Sequence, residues 1–118
     1  MAVKNETAPI LDMEAALERV GGDEDLLKEI GALFLQEFPP AISALRTAVA
    51  SRDPKRIEGK AHSLKGSVST FGSGMAFQAT LDLEIQGRSG DLTAVDSNLE
   101  RAELSLACLC QELQKLIS

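Results

Sequence analysis

Apolar residues recur every three to four positions along nearly the whole chain, interrupted only where glycine, proline or a capping aspartate stands. Residues 1–9 are polar and unpatterned and read as a loose arm. Asp12 is placed as the N-cap of a short helix, Met13 to Val20, which Gly21-Gly22 ends. Asp23 caps the next, whose stripe is Leu26, Leu27, Ile30, Leu33, Phe34, Phe38, Ile42, Leu45 and Val49. Pro39-Pro40 interrupts this stripe, but it resumes in phase. That predicts one kinked long helix, with two separate helices as the alternative. Asp53-Pro54 starts a third helix with Ile57, Ala61, Leu64, Val68 and Phe71 inward, closed by Gly72. A fourth spans about residues 73–86 and stops at Gly87. After the turn GRSGD, Asp91 is placed as the cap of the last helix. Its stripe is Leu92, Val95, Leu99, Ala102, Leu106, Leu109, Leu113 and Leu116.

These elements predict an all-α fold: an antiparallel four-helix bundle with a short accessory N-terminal helix, one domain over 10–118. No strand alternation appears. Leu and Ala dominate the apolar 44%, with four Phe and no Trp or Tyr, which favours helix on helix over sheets. With 18 acidic and 12 basic residues the net charge is −6, and no Lys/Arg cluster forms, so nucleic acid and anionic membranes are not expected partners. No apolar run approaches the roughly 20 residues that span a bilayer. MAVKNETAPI has no hydrophobic signal core, which points to the cytoplasm. Cys108 and Cys110 project about 200° apart on a helix, so they neither pair nor share a metal.

The stretch AHSLKGSVSTFG, residues 61–72, holds the one histidine of the chain. His62 lies about 100° from Ala61, off the buried stripe. On its own face stand Gly59, Lys65, Gly66 and Ser69. Each glycine inside a helix costs about 1 kcal/mol relative to alanine, so two around one histidine imply clearance for something that approaches closely. A packed structural histidine does not fit this hydrophilic face. A metal ligand lacks partners, there being no second His and no convergent Cys. A nucleophile fits: a neutral imidazole is effective when exposed and held by an acceptor at one nitrogen. Lys65, about 4.5 Å along the axis, is placed to neutralise an anion delivered there. Anion and nucleophilic histidine together point to phosphoryl transfer.

AHSLKG followed by Gly72, the Gly-Gly-Asp helix junction and the pair Leu83-Glu84 resembles the histidine-containing phosphotransfer (HPt) domains of two-component phosphorelays. The likeness extends over almost the whole chain. It implies that His62 is the phosphorylated residue, through Nε2, and that Lys65 stabilises the phosphoryl group. Gly66 matches the small position that lets a partner close over the ring. Glu84 stands 22 positions after His62, where the family can place a Gln or Glu that bonds the other ring nitrogen. An exposed acid on a helix is the alternative reading of Glu84, and Gln86 is the fallback for the same task.

The family resemblance further implies a carrier that takes a phosphoryl group from a receiver-domain aspartate and returns it to another. The expected partners are receiver domains of response regulators or hybrid kinases, which bring Mg²⁺; this chain is expected to bind no cofactor and to be a monomer. GSG at 72–74 lacks the ending and the strand of a P-loop, so no ATP site or kinase activity is expected. Met13 and Leu17, with the start of the second helix, are expected to present exposed apolar contacts for docking. Two other readings are the phosphoacceptor domain of a chemotaxis-type kinase and an adaptor that binds receivers without being phosphorylated. The first would take its phosphoryl group from an ATP-bound kinase domain. The second has no need of His62, Lys65 and the flanking glycines together.

Overall fold

Three aspartates start three of the helices. The computed structural model describes residues 8–118, which form α1 (Met13–Arg19), α2 (Glu24–Ala50), α3 (Pro54–Ser69), α4 (Met75–Ser89) and α5 (Val95–Ile117). The described residues contain no strand. Asp12, Asp23 and Asp53 each accept a hydrogen bond from the backbone N–H three residues on, at 3.1, 3.0 and 3.3 Å. Each thereby satisfies one of the amides that a helix start leaves bare. Most of the arm expected over 1–9 lies outside the described residues. Its last two carbonyls, of Ala8 and Pro9, run against Gly74, where a Cβ would stand 2.7 Å from the Pro9 oxygen.

α2 runs unbroken through Pro39 and Pro40, so the single helix holds and the two-helix alternative does not. Its stripe buries Leu27, Phe34, Ile42, Leu45 and Val49. Phe34 meets Phe71 edge-on at 5.5 Å between ring centres and Phe38 in a stack at 5.9 Å. α2 touches α3 and α5, and α4 touches the same two, so the four long helices close a ring around one core, while α1 packs on α2. Asp12 N–H donates to the Phe71 carbonyl at 2.8 Å and ties the entry of α1 to the end of α3. Ion pairs Arg46–Glu103, Arg101–Asp82 and Arg52–Asp96 stitch the outer faces. Solvent screens the exposed Arg52–Asp96 pair most and the partly buried Arg101–Asp82 pair least.

Two boundaries differ from the sequence reading by more than the one or two residues by which helix ends vary. Asp91 does not cap α5; its carboxylate accepts from the Thr93 N–H and hydroxyl at 3.1 and 2.6 Å, and the helix begins at Val95. An Asx turn to a residue two positions on competes with capping, and a threonine there supplies two donors. Gly87 does not end α4 either. The helix continues to Ser89, and Gly90, at φ 80°, supplies the left-handed cap. Gly87 is needed for packing instead: a Cβ there would stand 2.5 Å from the Glu58 nitrogen and 2.7 Å from the Pro54 oxygen. α3 and α4 are therefore in backbone contact near their ends.

Candidate functional site

His62 and Lys65 project from α3, and Glu84 and Arg88 from α4, at the seam where Gly87 draws the two helices together. The Glu84 carboxylate is the centre. Although charged, it is only 3% exposed. Such burial is costly unless the charge is paired, and here it is paired on both oxygens. Oε2 accepts from His62 Nδ1 at 2.9 Å and from an Arg88 guanidinium nitrogen at 2.7 Å. Lys65 Nζ stands 2.7 Å from Oε1 as an ion pair. Arg88 Nε donates in turn to Glu58 at 2.9 Å. Burial is the largest influence on Glu84 and alone would raise its pKa. The Lys65 ammonium and the His62 ring together outweigh it and hold the carboxyl below its ordinary range.

An ionised carboxylate only accepts hydrogen bonds, so Nδ1 of His62 carries a proton, and in the neutral form of the ring the lone pair is then on Nε2. The imidazole is 67% exposed, on a helix face left open by glycines: a Cβ at Gly59 or Gly66 would meet nothing within 4 Å. In that neutral form the ring, its tautomer locked and its free nitrogen on the open side, is suited to attack an electrophile brought by another molecule. Beside it a groove of about 550 Å³ opens between α2 and α3. Its walls are Ile30, Leu33, Phe34, Phe38 and Ala41 on one side and Lys60, Ser63, Ser67 and Phe71 on the other. Leu33 is 52% exposed on its rim.

Several expectations change here. Glu84 is not an exposed acid; it is buried and joined to His62. Gln86, the fallback, makes no bond to His62, and its half-buried side chain leaves its amide oxygen without a hydrogen-bond partner. Lys65 does not stand free beside the imidazole but is occupied by Glu84. Met13 and Leu17 are half-buried against the core rather than exposed. Arg88 and Glu58 were missed. Their signal was available, since Arg88 follows Glu84 by four positions and Glu58 precedes His62 by four, each pair sharing a helix face. Among the described residues no group of His, Cys, Asp or Glu is arranged to hold a metal ion. Cys110 is half-buried, which pushes its thiol pKa up, and Cys108 is exposed.

The sequence pattern of the Hpt domain matches residues 29–118. The chain belongs to the Hpt domain family. The crystal structure of histidine-containing phosphotransfer protein B (HptB) from Pseudomonas aeruginosa PAO1 has the same fold, with a TM-score of 0.82. It is 23% identical, over 92% of this chain and 94% of that one. No curated protein sequence matches. As an Hpt domain the chain carries its one histidine on α3, and no helix among the described residues is long and apolar enough to cross a membrane.

Proposed function

We propose that this Hpt domain is a phosphorelay carrier. It takes a phosphoryl group onto His62 from the phospho-aspartate of one receiver domain and passes it to the aspartate of another. The observation that carries the reading is the exposed His62 ring, held through Nδ1 at 2.9 Å by a buried carboxylate. The Nε2 lone pair attacks phosphorus; the N–P bond forms as the P–O bond to the receiver's aspartate breaks, and that carboxylate leaves with the bonding electrons. The ring becomes a phosphoryl-imidazolium, whose positive charge faces Glu84. Transfer onward is the reverse step. Such reactions depend on in-line positioning and charge neutralisation, which an exposed, pre-oriented imidazole supports. Lys65 is the cation for the phosphoryl oxygens, and Gly66 keeps the approach clear.

The partner receiver brings Mg²⁺, and this chain adds no cofactor, ATP site or kinase activity. It works as a cytoplasmic monomer, an antiparallel four-helix bundle with α1 as its accessory helix. The groove between α2 and α3, with Leu33 on its rim, is the apolar surface on which a receiver docks. The test is to mix the protein with a receiver charged on its aspartate and look for label on this chain that is acid-labile and alkali-stable. Label on the wild type and none on His62→Gln is the expected result. Absence of label with several receivers would count against the carrier reading.

A further inference from the structure

Glu84 faces three donors, two from α3 (His62 and Lys65) and one from its own helix (Arg88), and Arg88 is moored on its other side by Glu58 of α3. Before transfer, with the ring neutral, the charges of Lys65, Arg88, Glu84 and Glu58 cancel. A phosphoryl group arriving on Nε2 brings a charge of about −2 on its oxygens, against one positive charge gained by the ring. Lys65 then has two anions to serve, and one ammonium cannot sit on both. Leaving Glu84 would strip a cation from a carboxylate that is only 3% exposed, which is costly when nothing replaces it. Arg88 and the newly charged ring, both on Oε2, remain to hold it.

Resting on the carrier reading above, we propose that Arg88 is a positioning residue: bonded to Oε2, it keeps Glu84 paired and aligned on Nδ1 while Lys65 leaves Oε1 for the phosphoryl oxygens. Three features fit that division of labour. Lys65 is on Oε1, the oxygen that neither His62 nor Arg88 contacts, so its departure leaves both bonds to Oε2 in place. Arg88 contacts the same carboxylate oxygen as the imidazole, so it fixes the atom that orients the ring. The bond from its Nε to Glu58 holds the guanidinium plane across the α3–α4 seam, which an ammonium on a flexible stem would not do.

The test uses the full chain and phosphoramidate, a small-molecule phosphoryl donor that needs no receiver. Phosphohistidine formation is followed for the wild type, Arg88→Gln, Arg88→Lys, Lys65→Gln and the Arg88→Gln/Lys65→Gln double variant, with ¹⁵N spectra of the His62 ring. Arg88→Gln should slow uptake about tenfold and reduce the Nδ1–H tautomer. Arg88→Lys, which keeps the charge but loses the plane held by Glu58, should recover only part of the rate. Adding Lys65→Gln to Arg88→Gln should cost less than about twofold more, because a lysine held on Glu84 is already lost to the phosphoryl group. A purely structural role would leave the tautomer unmoved and make the two losses multiply, and either result overturns the proposal. So does wild-type uptake by Arg88→Gln. Were that variant poorly folded, Arg88→Met keeps the stem and removes only the charge, with the same expected loss. A wild type that takes no label would sink the carrier reading and this inference with it; a labelled wild type beside an unaffected Arg88→Gln sinks the inference alone.

Discussion

Gly87 of α4 lies so close to the backbone of Glu58 on α3 that a Cβ would come within 2.5 Å of the Glu58 nitrogen. Glu58 is one turn before His62, and Gly87 one turn after Glu84. The contact that only a glycine allows is thus the one that brings the buried carboxylate to the imidazole. Core packing and site geometry are the same interaction seen from two sides.

Glycine substitutions should therefore have opposite signs along this seam. Gly87→Ala meets backbone, which has no rotamer to yield, so α3 and α4 must separate. A loss of about 1–3 kcal/mol is expected in chemical denaturation, despite alanine's better helix propensity, together with slower phosphoryl uptake. Gly66→Ala meets open space and should stabilise the fold by up to about 1 kcal/mol, as measured by the same titration. If Gly66 provides clearance, transfer from a receiver should nonetheless slow in that variant.

Glu84→Gln keeps the shape and an acceptor but removes the charge that locks the ring. Uptake of phosphoryl from a charged receiver should fall about 10–100-fold, the usual effect of losing a group that orients a functional histidine. Stopped-flow transfer measurements together with ¹⁵N spectra of the ring would check it; an unchanged tautomer population would show that Glu84 does not set the ring's orientation.

Stability should respond to acid through the same group. The Glu84 carboxyl is held below its ordinary range when folded, so the unfolded chain takes up a proton there first as pH falls. Its contribution is complete above the ordinary carboxylate range and is lost as pH drops through that range toward the lower folded value. Urea midpoints measured between pH 7 and pH 3 should fall less steeply for Glu84→Gln than for the wild type.

Leu33→Asp tests the docking groove without touching the core, since that side chain is half exposed on the rim. Thermal stability should change by no more than about 0.5 kcal/mol. Transfer from a receiver should slow severalfold, while uptake from phosphoramidate stays at the wild-type rate. Equal rates from the receiver would remove this groove from the docking surface. Met13 and Leu17 make a poorer test because both also pack against the core.

What the sequence determined by itself was local. Capping aspartates at 12, 23 and 53 act on amides three residues away, and the stripe of α3 repeats within a turn, so helix starts and the outward face of His62 were legible in the chain. Even local signals failed where two of them competed, as at Asp91, whose carboxylate went to Thr93. Only the tertiary structure decided the burial of Glu84, the engagement of Lys65 with it, the entry of Arg88 and the exclusion of Gln86. Each depends on how far α4 is turned and slid against α3, which is fixed by packing between residues about 20 or more positions apart. Periodicity tells which face of a helix is inward, but not which residue of the neighbouring helix stands opposite; here that was set by the room left at Gly87.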